Sequence, residues 1–177
     1  SSITGCKHIA SRCKYHEGSV LSKLPIFSKF SNAILSKTPF TSVKYHEVSI
    51  GRKRLIIHVY YHDLNLHIFL VHLSLLRQNR RKQIKELSNL VKNVSGNVIV
   101  MGDFNAAHQG DLLQLASQNN LFFINTQNAK TFPSFKPKNC LDYILVSEKI
   151  NPKKFEVLSV KYSDHLPLLF EFEISAF

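Results

Sequence analysis

The chain has 177 residues, of which 44% are hydrophobic and 20% charged, so it is expected to fold as one domain, residues 1–177, with a buried core. No apolar run approaches the roughly 20 residues of a transmembrane helix, and no signal-peptide core is present, which favours a soluble, cytoplasmic protein. The net charge is +11, and 16 of the 23 Lys and Arg residues lie in the first 100 positions. A basic surface favours polyanions such as nucleic acid or acidic lipid headgroups, although simple solubility would also account for it.

The predicted elements are short apolar strands and two helices. A helical period covers residues 78–94, and Asp111 is placed to cap a second helix. A hairpin is predicted around residues 63–65. The order of the elements indicates a mixed α/β sandwich. Strands are predicted at residues 18–25, 32–36, 42–50, 55–61, 66–73, 98–101, 121–124, 141–146, 155–161 and 166–174.

Cysteine and histidine spacing predicts neither a disulfide framework nor a zinc site. The three cysteines are odd in number and lack close pairs, which indicates free thiols. His58, His62 and His67 have separations that would suit a metal in some folds. No Cys or Glu accompanies them, however, so structural roles on strands and turns are favoured.

The stretch from residue 98 to residue 105, Val-Ile-Val-Met-Gly-Asp-Phe-Asn, carries the strongest local signal. Four apolar residues predict a buried strand that ends at Gly102. In extended backbone alternate side chains point the same way, so Asp103 and Asn105 would face one cleft while Phe104 turns into the core. A simple Gly-Asp turn remains the alternative.

Three further polar signals interrupt apolar segments. His72 lies between Val71 and Leu73, Asp142 lies in Leu-Asp-Tyr-Ile, and residues 163–165 read Ser-Asp-His. A buried carboxylate is costly unless it is paired, and a histidine is its natural partner. Such a pair fixes the tautomer and favours the imidazolium. Two acidic residues with histidines suit a metal-assisted attack on a phosphate ester.

Taken together and in this order, these motifs resemble the endonuclease/exonuclease/phosphatase superfamily, from about Gly18 onward. The resemblance implies a deoxyribonuclease I-like fold, an α/β structure of four layers in which two packed mixed sheets are flanked by helices. Residues 131–134, Thr-Phe-Pro-Ser, also look like the small bacterial members. The matching stretches are residues 18–25, His-Leu-Ser-Leu at 72–75, Arg-x-x-Gln at 80–83, Gly-Asp-Phe-Asn at 102–105, Leu-Asp-Tyr-Ile at 141–144 and Ser-Asp-His-Leu-Pro at 163–167.

The resemblance implies a role for each of five catalytic candidates. Asp103 would orient or deprotonate the attacking water, and Asn105 would hold Asp103 and contact the phosphate. His72 would bind the phosphate or assist the leaving group. His165 would stabilise the pentacovalent transition state as a cation, oriented by Asp142. These side chains are expected to converge in one cleft, with His165 within hydrogen-bond reach of Asp142.

The resemblance also implies a divalent metal at Asp164, with Mg²⁺ as the first candidate and Mn²⁺ as the second. Family members begin with a strand carrying an Asn, then a helix and a strand that ends in a metal-binding Glu. No counterpart precedes Gly18, and Glu17 does not replace it. We therefore expect that the chain lacks this first strand–helix–strand unit, either because it is N-terminally truncated or because it is a shortened family member, and that it is nearly inactive. A chain with about 50–80 more N-terminal residues should be active. Equal activity of the short and the longer chain would indicate that Glu17 or Glu47 replaces the missing metal ligand.

The resemblance and the charge together favour a divalent-metal-dependent phosphoesterase, acting as a monomer on phosphodiester bonds in nucleic acid. Two alternatives stay open. One is a phospholipid or phosphoinositide phosphatase or a sphingomyelinase-like enzyme, and the other is a non-catalytic relative that binds polyanions. The chain lacks long insertions with a lipid-binding helix, which favours nucleic acid over lipid.

Overall fold

The computed structural model describes residues 5–13, 31–52, 54–125 and 129–175. Within those ranges, neither helix has the length and apolar character that crossing a bilayer requires. The helices α1 and α2 cover Arg77–Lys92 and Leu113–Gln118, and a 3₁₀ turn at Gln109–Leu112 leads into α2. In chain order, strands β1 to β10 cover His8–Cys13, Ser31–Ser36, Ser42–Glu47, Leu55–Tyr61, Leu66–His72, Asn97–Asp103, Leu121–Phe123, Asp142–Ser147, Ile150–Val157 and Leu168–Ile174.

A six-stranded sheet in the order β3-β4-β5-β6-β8-β7 forms the centre of the described structure. Its strands pair antiparallel except β5 and β6, which are parallel and are joined by the crossover helix α1. Both helices pack on one face of this sheet. There Leu87 and Val91 of α1 and Leu115 of α2 form a core with Phe69 and Val100.

The opposite face of the sheet is covered by two antiparallel strand pairs. The β1–β2 pair buries Ala10 and Ile34 against Ile57 of β4. The β9–β10 pair buries Ile150 against Ile99 of β6. Helices, a mixed sheet and further antiparallel strands confirm the predicted α/β sandwich. In the described residues its second sheet consists of these two separate pairs.

Two strands differ from the prediction for a recognisable reason. β1 was not predicted, because Ile9 and Ala10 are the only strongly apolar residues among its first five. β9 begins at Ile150 rather than residue 155, because the polar run after Ile150 hides the strand. The predicted strand at 18–25 lies outside the described residues. Its pattern Leu-Ser-Lys-x-Pro recurs at residues 35–39, where β2 ends.

Asp111 does not cap α2, contrary to the prediction. It lies inside the 3₁₀ turn, where its carboxylate accepts hydrogen bonds from Arg77 Nη2 at 3.0 Å and Arg80 Nη2 at 3.4 Å. The Arg80 side chain is only 8% exposed, and a buried guanidinium needs a counter-charge. The ion pairs therefore fasten the turn before α2 to the start of α1.

Three histidines form a directed hydrogen-bond chain on the helix-covered face of the sheet. A carbonyl oxygen only accepts, so His67 Nε2 donates to Ser95 O at 3.2 Å. His67 Nδ1 then accepts from His58 Nε2 at 2.9 Å, and His58 Nδ1 accepts from His46 Nε2 at 3.5 Å. The ring of His58 is buried and stacks on Phe69. The histidine chain is thus complete when all three rings are neutral.

Protonation of His58 should weaken the fold as the pH falls. Burial, with the neighbouring His67, His46 and Lys44, lowers the pKa of His58 to about 4 from 6.5. Below pH 6.5 the unfolded chain binds a proton that the folded protein excludes, so stability present at pH 7 is lost progressively toward pH 4. We expect this residue to cost about 2 to 3 kcal/mol of unfolding free energy between pH 7 and pH 4.5.

Denaturant unfolding of wild type and His58→Phe at both pH values measures this contribution. The variant keeps a ring against Phe69 and should show a smaller loss of stability on acidification. The matched variant His62→Phe, whose histidine side chain is 77% exposed, should keep the wild-type loss. An undiminished loss in His58→Phe would contradict the assignment.

Candidate active site

Three strands place polar side chains next to one another at one end of the six-stranded sheet. His72 is the partner of Asp103 across β5 and β6, and Asp103 is the partner of Asp142 across β6 and β8. Side chains of directly paired residues point to the same face of a sheet. By alternation along β6, Asp103 shares its face with Ile99 and Met101, which pack toward the β9–β10 pair. His72, Asp103 and Asp142 therefore face the side of the sheet that carries the β9–β10 pair, next to the loop that precedes β10.

The end of β6 is shaped by a glycine that lies very close to its neighbour strand. Gly102 has a φ of +132°, and a Cβ at this residue would lie 2.1 Å from the Val71 carbonyl oxygen. Only glycine fits there. The strand continues to Asp103 instead of ending at Gly102 as predicted. Phe104 then turns into the core, and Asn105 takes a left-handed φ of +50°, which Asn tolerates better than most residues.

Asp103 is held by three hydrogen-bond donors. The Asn105 backbone N–H donates to Asp103 Oδ1 at 2.8 Å, and Asn105 Nδ2 donates to Oδ2 at 3.0 Å. His72 Nε2 lies 3.1 Å from Oδ2. Burial favours the protonated acid, but the hydrogen bond and charge of His72, the Asn105 N–H and the charge of His165 outweigh it and lower the pKa of Asp103. The carboxylate is therefore ionised and fixed in orientation at neutral pH.

Asp142 and His165 form a close pair. His165 Nδ1 donates to Asp142 Oδ2 at 2.7 Å, and Thr131 Oγ1 donates to the same oxygen at 2.5 Å. Burial raises the pKa of Asp142, although both hydrogen bonds act against that rise. Burial alone would lower the pKa of His165, but Asp142 and the charges of Asp103 and Asp164 outweigh it and raise that pKa. The geometry thus favours an imidazolium at His165.

The loop that carries Asp164 and His165 is fastened to the loop at residues 131–134. Ser134 N–H donates to the Asp164 carbonyl at 2.7 Å, and Ser134 Oγ donates to the Ser163 carbonyl at 2.5 Å. Leu166 N–H donates to the Thr131 carbonyl at 2.8 Å. Sequence reasoning assigned Thr131 and Ser134 no role. The Thr-Phe-Pro-Ser segment upstream of Asp142 was the available signal.

The loop after β5 is held by the start of α1. Gln83, fully buried, accepts a hydrogen bond from Ser74 N–H at 2.8 Å and donates to the Ile50 carbonyl at 2.7 Å. Arg80 Nη1 donates to the carbonyls of Ser74 and Leu75, at 3.2 and 2.9 Å. The Arg-x-x-Gln pattern therefore fixes the loop that brings Leu75 to the site.

All six side chains named from the sequence lie on the wall of one cavity of about 570 Å³. The cavity is open to solvent and has two aspartates and two histidines that are each partly buried. Its size suits a phosphate group with part of what the phosphate is attached to. The lining residues are His72, Leu75, Asp103, Asn105, Phe132, Leu141, Asp142, Ser163, Asp164 and His165.

The described part of the chain offers few side chains that could bind a metal ion. No group of three or more His, Cys, Asp or Glu side chains there is arranged to hold a metal ion. Asp103 and Asp142 are engaged by histidines, whereas the exposed Asp164 carboxylate accepts a hydrogen bond from Ser163 Oγ at 3.0 Å. Mg²⁺ is commonly held by one or two carboxylates, with waters and substrate phosphates completing the octahedron. Asp164 is therefore the cavity carboxylate that would hold such an ion.

Comparisons with solved structures show the fold. An endonuclease/exonuclease/phosphatase family protein from Leptotrichia buccalis C-1013-b has a TM-score of 0.72 at 18% identity, and the match covers 94% of this chain and 72% of that one. The mannosyl-6-phosphatase Bt3783 of Bacteroides thetaiotaomicron VPI-5482 has a TM-score of 0.62 at 19% identity, covering 82% and 72%. TDP2 of D. rerio, complexed with single-strand DNA product, has a TM-score of 0.66 at 17% identity, covering 81% and 72%.

The sequence itself identifies the family. No curated protein matches the chain significantly. The model of the Endonuclease/Exonuclease/phosphatase family matches residues 5–165, which is most of the chain. This match includes each of the six candidate site residues and confirms the resemblance. The chain therefore belongs to the Endonuclease/Exonuclease/phosphatase family.

Proposed function

We propose that this protein is a divalent-metal-dependent phosphoesterase that hydrolyses phosphodiester bonds in nucleic acid. The observation that carries the proposal is that the Asp103 carboxylate and the hydrogen-bonded Asp142–His165 pair line the same cavity. One group can accept a proton and the other can carry positive charge. Hydrolysis of a phosphate ester by water needs both.

In the proposed reaction Asp103 accepts a proton from a water molecule as the water oxygen attacks phosphorus. His165, kept cationic by Asp142, stabilises the negative charge that grows on the phosphoryl oxygens. The P–O ester bond breaks, the leaving oxygen takes a proton from solvent water and ends as a hydroxyl, and Asp103 returns its proton to solvent. Asn105 and His72 keep Asp103 in position through their hydrogen bonds. A divalent ion at Asp164 would supply further positive charge next to the phosphate.

Two observations support nucleic acid as the substrate. The net charge of +11 favours a polyanion. The neighbour TDP2 was crystallised with single-strand DNA product, which shows that this fold accommodates DNA in that protein. The phosphatase Bt3783 shares the fold as well, so a phosphomonoester is the competing substrate.

The test is hydrolysis of an end-labelled oligonucleotide and of p-nitrophenyl phosphate with Mg²⁺, Mn²⁺ or EDTA. We expect only weak oligonucleotide cleavage, at high concentrations of either ion, and none in EDTA, because Mg²⁺ would have few carboxylate ligands here. Asp164→Ala should require at least about tenfold more metal for half-maximal rate, since one of the few carboxylates that Mg²⁺ uses is lost. Asp63→Ala, which removes a fully exposed carboxylate in the β4–β5 turn, is the matched control and should behave as wild type.

Three outcomes would contradict parts of the proposal. Hydrolysis of the phosphomonoester alone would assign a phosphatase. Tight oligonucleotide binding without hydrolysis of either substrate would assign a polyanion-binding relative. Undiminished cleavage in EDTA would remove the metal from the mechanism.

A further inference from the structure

Two exposed aromatic side chains are carried by the loops that contribute Phe132 and Ser163 to the cavity wall. The Phe135 residue is 75% exposed and Tyr162 is 97% exposed. Phe135 follows Ser134, and Tyr162 precedes Ser163, which lines the cavity. Large apolar side chains gain free energy from burial, so two such rings left in solvent next to a candidate active site suggest a surface that binds something.

The two rings are carried by loops that are fixed relative to one another. Ser134 binds the carbonyls of Ser163 and Asp164 through its hydroxyl and its N–H. A tight turn, closed by the Lys136 N–H bond to the Pro133 carbonyl at 3.1 Å, places Phe135 at its tip. Binding to these rings would therefore require little ordering of the loops, which keeps its entropic cost low.

Exposed lysines lie next to each of the two aromatic residues in the sequence. Lys136 and Lys138 follow Phe135, and Lys161 precedes Tyr162, and all three lysines are exposed. Aromatic rings that stack bases, next to lysines that neutralise phosphates, are the two components of single-strand nucleic acid binding. Bases in a duplex already stack on one another, so an exposed ring gains far more from an unpaired base.

We propose that Phe135 and Tyr162 stack unpaired bases of a single-stranded nucleic acid whose phosphate is held in the cavity. This rests on the proposed function and adds to it a preference for single strands over duplexes. Phe135 and Tyr162 set this preference, while the residues of the cavity perform the chemistry. Loss of either ring should weaken binding of single strands and leave the groups at the phosphate unchanged.

A fluorescent reporter tests the contact directly, because the chain contains no tryptophan. Tyr162→Trp introduces a single indole, and Asp103→Asn in the same chain prevents cleavage during titration. We expect a twelve-nucleotide oligothymidylate to quench this indole. Phe122→Trp in the same background is the matched control, because Phe122 is 55% exposed and pairs with Val146, four residues along β8 from Asp142. Its indole should not respond.

Affinity measurements on alanine variants separate the possible partners. Phe135→Ala and Tyr162→Ala should each lower single-strand affinity about 5- to 150-fold, the range for one base stacked on an aromatic ring. A duplex of equal length should be affected little, and Phe122→Ala should bind as wild type. An equal loss on duplex, no loss on single strands, or quenching by anionic phospholipid vesicles but not by the oligonucleotide would each overturn the proposal.

Failure of this inference is distinguishable from failure of the proposed function. Oligonucleotide hydrolysis that is unchanged in Phe135→Ala and Tyr162→Ala removes the stacking role and keeps the phosphoesterase. Stacking with no hydrolysis by wild type keeps the binding surface and removes the activity.

Discussion

Asp103→Asn should lower kcat by about 10²- to 10⁴-fold on any substrate that the wild-type protein hydrolyses, the range for a positioned general base. The amide has nearly the same size as the carboxylate but cannot accept a proton from water. The amide nitrogen would also face two hydrogen-bond donors, His72 Nε2 and Asn105 Nδ2, at the place where the carboxylate oxygen accepts their hydrogen bonds in wild type. Asp103 ends β6 at the cavity wall, so circular dichroism and the melting transition should still report a folded protein.

Asp63→Asn is the control for this change. It alters one carboxylate in the same manner in the turn between β4 and β5, where the side chain is fully exposed. Its kcat should equal that of wild type. A purified, folded Asp103→Asn protein with wild-type kcat would show that another group deprotonates the water.

His165→Ala should lower kcat by about 10²- to 10³-fold, because the cation that faces the developing charge is lost. The wild-type rate should fall as the pH rises through the His165 pKa, which lies above 6.5 because Asp142, with Asp103 and Asp164, outweighs the effect of burial. On the acid side the rate should fall first as Asp142 takes up a proton and releases His165, because burial raises the pKa of Asp142 whereas the pKa of Asp103 is lowered.

Asp142→Asn tests whether Asp142 acts through His165. The amide cannot stabilise the imidazolium as the carboxylate does, so the alkaline limb of the pH–rate profile should move to lower pH and kcat at pH 7 should drop. His62→Ala removes an exposed histidine and should leave rate and profile unchanged. An alkaline limb that stays in place in Asp142→Asn would show that Asp142 only supports the fold.

The sequence was enough to recognise the family and to name six of the ten residues that line the cavity, because the signals of these six are local. A polar residue that ends or interrupts an apolar strand, as Asp103 and Asp142 do, is visible in a few neighbouring letters. Strand pairing then brings His72 beside Asp103, although they are 31 residues apart. The catalytic roles remain predictions, since geometry alone does not test them.

Features that depend on residues far away in the sequence were harder to predict. Thr131 matters because its hydroxyl reaches Asp142, and nothing in a polar loop indicates such a contact. Asp111 carries the signal of a helix cap, but the buried Arg80 of another helix recruits it instead. The strands β1 and β9 are poor in apolar residues, and their pairing partners, rather than their own periodicity, define them.

The row formed by His72, Asp103 and Asp142 makes assembly of the site an all-or-none event. Successive side chains of a strand point to opposite faces, so a slip of β6 by one residue would turn Asp103 to the helix side and Ile99 with it. A slip by two residues would restore the face but would move Asp103 about 7 Å along the strand from His72 and Asp142, so neither register assembles the site. A variant with a loosened sheet would therefore be a mixture of fully competent and fully incompetent molecules, and its lost activity would appear in the amount of active protein rather than in KM.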